Sequence, residues 1–307
     1  MYEINSPIPQ TSAPPPGWAP PMADIGWVKR KYLDVCYGDD SPNQRLDIYL
    51  PQRGSGPFPT LIHVHGGGFA FGDKRDDHMN AYLKALSWGW AAVSVEYRLS
   101  GEATFPAAVL DCRKAVRFLR INAGKYSLDP ERFAAIGGSA GGNLAAMLGM
   151  NVPNGCFPGE KAGRDYGAEP YVSAAVSQFG PMNFRTMDAQ ARKNGLSLAD
   201  HDEPFSPESR YLGCPVQDAP EGLCASANPA TYAGKGMSPI FVQHGTDDKL
   251  VPFEQSVEFV DALRDAGLGD RVWFESLNGA DHEDKQFFTD ENLNRVRDFL
   301  ERVMKED

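Results

Sequence analysis

Phe133-Ala-Ala-Ile-Gly137-Gly-Ser139-Ala-Gly141-Gly-Asn-Leu-Ala-Ala-Met-Leu148 is the stretch whose reading decides the fold. Its first four residues are an apolar run of strand character, and residues 142–150 are small and apolar, as suits a buried helix. Between them there is room only for a tight turn of the pattern G-x-S-x-G. A residue at the apex of so abrupt a turn has a strained backbone, and only small flanking residues let strand and helix approach closely. The turn exposes the Ser139 hydroxyl and points the first helical amides at it, so negative charge developing on a bound oxygen meets backbone donors. The plainer reading is a glycine-rich turn with a helix-capping serine. Nucleotide binding loses its support, because neither G-x-x-x-x-G-K-[ST] nor G-x-G-x-x-G fits these glycines.

Working outward, apolar runs at 60–64, 91–95, 172–176, 240–242 and 272–274 join 133–136 as buried strands. Helical stretches lie between them at 76–86, 107–122, 142–150, 253–266 and 291–304. In 107–122, Val109, Cys112, Val116 and Leu119 recur at helical spacing, with Arg113, Lys114, Arg117 and Arg120 on the other side. Arg45-Leu-Asp-Ile-Tyr-Leu50 alternates as a half-buried antiparallel strand. This alternation of strands and helices predicts an α/β fold with a mostly parallel central sheet of about eight strands and helices on both faces.

Two stretches break the pattern. Residues 151–171 are rich in glycine and charge, and 181–237 is a long connection between two strands, of the kind that forms a lid or binding wall. Residues 1–30 include Pro9-Gln-Thr-Ser-Ala-Pro-Pro-Pro16-Gly-Trp-Ala-Pro-Pro21, which cannot be helical and reads as an arm on the surface. The expected organisation is that arm, then one domain over 31–307 with 181–237 as an inserted cap.

The 307 residues are 42% hydrophobic and 11% aromatic, enough for a large core. Lys and Arg number 30 against 41 Asp and Glu, and the net charge of −11 argues against nucleic-acid or membrane-surface partners. The five cysteines, Cys36, Cys112, Cys156, Cys214 and Cys224, are too irregular for a zinc module or a disulfide framework. Cys214 and Cys224 bracket a short Pro-containing loop and are expected to be reduced. There is no basic-then-apolar leader and no run approaching the roughly 18 apolar residues of a membrane span, so the expected location is cytoplasmic. A signal removed beforehand would leave the same sequence.

His65-Gly-Gly-Gly68-Phe69 follows the strand at 60–64. Three glycines there leave backbone amides uncovered, as an oxyanion site requires, with Gly67 and Gly68 joining Ala140 as donors. A serine nucleophile needs a neutral imidazole as base and a carboxylate to fix its tautomer. In a hydrolase built on this turn, the acid and then the histidine follow the serine along the chain. His63, His65 and His78 precede Ser139, His201 lies in the inserted stretch and His244 ends a strand, which leaves His282. For the acid, Asp247 and Asp248 compete in His244-Gly-Thr-Asp247-Asp248-Lys-Leu-Val-Pro252, and the one not used reads as a turn or helix-entry carboxylate.

The glycine-rich block at His65, Tyr97-Arg-Leu99 with Phe105-Pro-Ala-Ala108, Gly137-Gly-Ser-Ala-Gly-Gly-Asn-Leu144 and the loop after His244 together resemble the hormone-sensitive-lipase-like branch of α/β-hydrolase esterases. The resemblance runs from about residue 31 to the C-terminus. That fold's H-G-x-x-D-x-x-V-P acid loop is similar to residues 244–252 and implies Asp248 as the acid, with Asp247 the alternative. Ser100-Gly101 stands where the branch usually has Ala-Pro, and the arm lacks the helical cap of typical members. Ser206-Pro-Glu-Ser-Arg-Tyr-Leu-Gly213, Ala227-Asn-Pro-Ala-Thr-Tyr232 and Gly279-Ala-Asp-His-Glu-Asp284 resemble bifunctional carbohydrate esterases that act on feruloyl and acetyl esters of xylan.

The resemblance implies a serine carboxylesterase acting on a small-molecule ester through an acyl-enzyme, without cofactor or metal. Ser139 is its expected nucleophile, His282 the base, Asp248 the orienting acid, and Gly67, Gly68 and Ala140 the oxyanion donors. The alternatives are an arylformamidase-type amidase, a lipase, or a non-catalytic binding protein on the same fold; the oligomeric state stays open. Asp200-His-Asp-Glu203 reads as a solvated acidic loop rather than a metal cluster. Trp27, Trp88, Trp90 and Trp273 read as core, and Trp18 and Phe69 as candidate substrate contacts. With the apolar residues of 181–237 scattered, an open, polar-rimmed cleft preferring acetyl to butyryl groups is expected.

Overall fold

Strands β1 (Lys31–Cys36), β2 (Arg45–Tyr49), β3 (Phe58–Val64), β4 (Ala91–Val95), β5 (Leu128–Gly138), β6 (Ala174–Gln178), β7 (Ile240–Gly245) and β8 (Val272–Leu277) form one sheet in the order β1-β2-β4-β3-β5-β6-β7-β8. The computed structural model that provides them describes residues 21–158, 160, 167–196 and 199–305. β2 runs antiparallel to both β1 and β4, and every pairing from β4 through β8 is parallel. Register pairs Ile62 with Val93 and Leu61 with Ala92. Successive strand residues face opposite sides, so Ile62 and Val93 enter one apolar cluster while Leu61 and Ala92 enter the other. Burial on both faces is why these strands read as continuous apolar runs.

The helices among the described residues are α1 (Met79–Tyr82), α2 (Ala107–Ile121), α3 (Ala123–Tyr126), α4 (Ala140–Gly149), α5 (Phe184–Lys193), α6 (Pro207–Leu212), α7 (Glu221–Ala227), α8 (Glu254–Asp265) and α9 (Asp290–Val303). Side chains of α2, α4 and α8 pack into the first cluster; those of α1, the 3-10 turn Leu83–Trp88 and α9 pack into the second. No helix among the described residues is long and apolar enough to cross a membrane.

Several expectations need correction. The helix expected at 76–86 is one α turn, Met79–Tyr82, followed by a 3-10 turn, Leu83–Trp88, which closes at left-handed Gly89 with its amide on the Ala85 and Leu86 carbonyls. β6 lies two residues later than the run at 172–176, and β1 is a strand that no apolar run marks in the sequence. Trp27 is 47% exposed rather than core, whereas Trp90 is buried and Trp88 and Trp273 pack partly buried against the second cluster. Arg113 and Arg117 are not on a solvated face: Arg113 is 2% exposed, and both guanidinium groups meet Glu160 of the 151–171 stretch, at 3.2 and 3.0 Å.

The described residues of 181–237 form α5, α6, α7 and two 3-10 turns, Val216–Asp218 and Pro229–Tyr232. Its apolar residues are not scattered: Phe184, Met187, Tyr211, Leu212, Val216 and Ala227 are buried in the first cluster. The proline-rich part of the N-terminal arm, and Trp18 with it, falls almost wholly outside the described residues. From Met22 onward the chain is packed, with a bridge from Met22 to Asp76, a 2.8 Å bond from the Ala23 amide to Arg75 O, and Val28 buried.

Candidate active site

Ser139 stands between β5 and α4 with φ 55° and ψ −127°, a left-handed φ that a side chain adopts only when its surroundings enforce it. Here the enforcement is crowding at two glycines. A Cβ on Gly137 would lie 2.3 Å from Gly141 O and 2.6 Å from Val64 O, and one on Gly141 would lie 2.1 Å from Val64 O. The Ser139 amide donates to Gln178 O at 3.0 Å, and its carbonyl accepts from the Gly142 amide at 2.8 Å. The side chain is thereby held at the sheet's C-terminal edge, the residue 7% exposed.

Ser139 Oγ lies 3.1 Å from His282 Nε2, and His282 Nδ1 lies 2.8 Å from Asp248 Oδ2. A carboxylate oxygen cannot donate, so Nδ1 carries the proton and the Nε2 lone pair accepts from the Ser139 hydroxyl. Asp248 Oδ1 accepts from the Leu250 and Val251 amides at 2.9 and 2.8 Å. Burial alone would raise this carboxyl, but hydrogen bonds from His244 and His282 outweigh it and hold it well below the usual carboxylate range. His282 is pulled down by burial and pushed up more strongly by the hydrogen bond and charge of Asp248, with Glu283 and Asp281 adding, so its net shift is upward. Asp281 ties the two loops together by accepting from the Lys249 and His282 amides at 2.9 and 2.8 Å.

Asp247 faces solvent, accepts from the neighbouring Thr246 hydroxyl at 3.0 Å and bonds to neither His282 nor Ser139 among the described residues. The geometry therefore brings Ser139, His282 and Asp248 together and leaves Asp247 outside.

The glycine block curls over the same edge. Gly67 and Gly68 have φ of 94° and 55°, where a side chain would be strained, and a Cβ on Gly68 would meet Pro207 of α6 at 2.8 Å. Ala140 opens α4, so its amide has no partner within the helix. His65, set aside as a base by its place in the chain, anchors this loop. Its Nδ1–H donates to Gly66 O at 2.9 Å, Nε2 lies 3.3 Å from Glu96 Oε1, and the ring stacks on Tyr97 at 4.3 Å. Phe69 is not at the substrate surface: it is 1% exposed and stacks on Tyr211 at 3.8 Å, tying the loop to α6.

His244, at the end of β7, also reaches the acid loop. Its Nε2 faces Asp248 Oδ2 at 3.2 Å and Val251 O at 3.0 Å, neither able to donate, so Nε2–H is a fourth donor around Asp248. Its Nδ1 lies 2.7 Å from Ser256 Oγ, which supplies the proton of that bond. A histidine four residues before the acid was the available signal.

His201 of the acidic run 200–203 is buried. Its Nε2–H donates to Leu250 O at 3.0 Å, and Nδ1 lies 3.4 Å from Glu208 Oε1. Burial pulls this imidazole down, but Glu208 raises it to about 9. The residue thus links the inserted stretch to the acid loop, with both ring nitrogens engaged. Cys214 and Cys224 are free thiols.

Known esterases are similar to this chain. The BD-FAE family model matches residues 46–263. The chain is 32% identical over 252 residues to the esterase LipQ of Mycobacterium tuberculosis, covering 81% of this chain and 56% of LipQ. It thus spans little more than half the length of that relative. Among solved structures, a bifunctional GH43-CE protein of Bacteroides eggerthii superposes with TM-score 0.78 at 31% identity, over 90% of this chain and 35% of that one. A truncated carbohydrate esterase from gut microbiota superposes with TM-score 0.78 at 25% identity, over 93% of this chain and all of that one.

Proposed function

The chain belongs to the BD-FAE family of α/β-hydrolase esterases, and from that membership we propose that it is a serine carboxylesterase for short acyl esters of carbohydrates. The observation that carries the reading is the hydrogen-bonded line Ser139–His282–Asp248, with gaps of 3.1 and 2.8 Å. In this reading Ser139 Oγ attacks the ester carbonyl while His282 Nε2 takes its proton, and Asp248 holds the imidazolium that forms. Negative charge passing to the carbonyl oxygen is met by the amides of Gly67, Gly68 and Ala140. His282 then protonates the leaving alcohol. Water, deprotonated by His282, releases the acyl group.

The carbohydrate part rests on likeness to the two carbohydrate-esterase structures. The short acyl part rests on the inserted stretch, whose larger apolar side chains Phe184, Met187, Tyr211, Leu212 and Val216 are buried in the core and leave few to line a trough for a long chain. Each methylene contributes roughly 0.8 kcal/mol only where an apolar wall excludes water along its length. With 4-nitrophenyl esters of rising length, kcat/KM is expected to fall steeply beyond about six acyl carbons. Efficient decanoyl hydrolysis would replace this reading with a lipase, and turnover of N-formylkynurenine ahead of all esters would replace it with an amidase. The net charge of −11 adds a bias against anionic substrates, nucleic acid and anionic lipid surfaces.

The pH dependence follows from the base. His282 acts only when neutral, and its net shift is upward from 6.5, so kcat/KM should rise with pH through a single titration on the alkaline side of that value. Of the acidic neighbours in the sequence, Glu283 and Asp281 contribute, whereas Asp284 caps the 3-10 turn Lys285–Phe288 by accepting from the Gln286 amide at 2.8 Å. A kcat/KM flat from about pH 5 to 9 would contradict a histidine base.

A further inference from the structure

Two imidazole N–H groups converge on one oxygen of the acid. Asp248 Oδ2 lies 2.8 Å from His282 Nδ1 and 3.2 Å from His244 Nε2, while Oδ1 is taken up by the Leu250 and Val251 amides. The two rings come from different places, His282 from the loop after β8 and His244 from the end of β7. His244 is fully buried, with Phe253 closing over it edge-on at 5.8 Å. It reaches neither solvent nor substrate. Its Nε2 faces acceptors, Asp248 Oδ2 and Val251 O, and its Nδ1 accepts from Ser256 Oγ of α8 at 2.7 Å. The Ser256 hydroxyl, by donating to Nδ1, strengthens Nε2–H as a donor in turn.

The reaction changes the charge on one of these two donors. When His282 takes the Ser139 proton it becomes a cation held by Oδ2, and how tightly it is held decides the pH at which the base is free. A carboxylate oxygen already bonded by a second donor is less basic and has less to offer the first. Burial pulls His282 down, while Asp248, Glu283 and Asp281 push it up; Asp281 is itself paired with Lys249. Phe179 of β6 covers the His282 ring edge-on at 4.9 Å and adds no charge. His244 bears on Asp248 from the side away from the base.

We propose that His244 is a positioning residue acting on His282 through Asp248: it fixes Oδ2 toward the base and, by sharing that oxygen, loosens its hold on the imidazolium. His282 is thereby free of its proton at a lower pH than the same Ser–His–Asp line would allow without it. The inference rests on the serine-hydrolase reading above and adds the residues, His244 and Ser256, that set the pH at which it works.

The test reads the rising limb of kcat/KM against pH for 4-nitrophenyl acetate. His244→Phe keeps a ring against Phe253 and removes the donor, and should move the midpoint to higher pH by about half a unit to one unit. Ser256→Ala should move it the same way by less. His244→Gln, whose amide can again donate to Oδ2, should return the midpoint toward wild type. A merely structural role would lower kcat and the melting temperature and leave the midpoint in place. Midpoints of folded variants within about 0.2 unit of wild type, or shifted to lower pH, overturn the proposal. If His244→Phe and Ser256→Ala do not fold, nitrogen-15 spectra of histidine-labelled wild type decide: the His244 proton should sit on Nε2, and a proton on Nδ1 overturns the proposal. Either contrary result, with 4-nitrophenyl acetate still hydrolysed, leaves the esterase reading standing. Wild-type protein that does not hydrolyse this ester and is not labelled by a fluorophosphonate would remove both.

Discussion

If Ser139 is the nucleophile as proposed, Ser139→Ala is expected to lower kcat for 4-nitrophenyl acetate by about 10⁴-fold or more, with little change in the thermal melting temperature. The size follows from the chemistry. Without Oγ there is no acyl-enzyme, and what remains is the modest gain from binding and from the amides of Gly67, Gly68 and Ala140. The fold should persist because the strain at Ser139 lies in its backbone, enforced by Gly137 and Gly141, and because the lost hydroxyl bonds only to His282 among the described residues. Steady-state kinetics with a melting curve on the same preparation checks both halves. A fall of less than about tenfold would move the nucleophile elsewhere.

Asp248→Asn is expected to cost about 10³–10⁴-fold in kcat, and Asp247→Asn less than about threefold. Asp248 Oδ1 accepts from two backbone amides, so an asparagine must keep its oxygen there and turn its NH₂ toward the two histidines. The NH₂ group then faces His282 Nδ1, which can only accept, and the imidazole proton moves to Nε2. An Nε2 that bears a proton cannot take one from Ser139. Asp247 makes no contact with that line, so its variant tests the alternative acid by the same assay. The reverse order of losses would make Asp247 the acid.

How much of the fold is legible in the sequence depends on how local its causes are. The β5–Ser139–α4 turn is written into five consecutive residues, because Gly137 and Gly141 must be bare for the backbones to meet. Parallel strands buried on both faces announce themselves as apolar runs. β1 does not, since it is an edge strand with most of its residues exposed and its register broken near Asp34 at φ 54°. Two helices of 181–237 are hidden for another reason: α6 and α7 have six and seven residues, too short for a 3.6-residue period to show. Burial of Arg113 and Arg117 depends on Glu160, a long-range partner that helical spacing cannot reveal.

The site divides in the same way. Ser139 and His282 follow from motif and chain order, but Asp247 and Asp248 are adjacent, and one turn of backbone decides which carboxylate points inward. His244, His65 and Glu283 carry no motif that states their partners; each acquires its place only when distant loops meet at the sheet edge.

The central claim is that Ser139 is a nucleophile activated by His282, and covalent labelling tests it most directly. Incubated with a fluorophosphonate, the wild-type protein should gain one adduct by intact mass, mapped by peptide sequencing to Ser139, with a rate that follows the same titration as kcat/KM. Ser139→Ala should gain none. An adduct on another residue, or undiminished labelling of Ser139→Ala, would contradict the account.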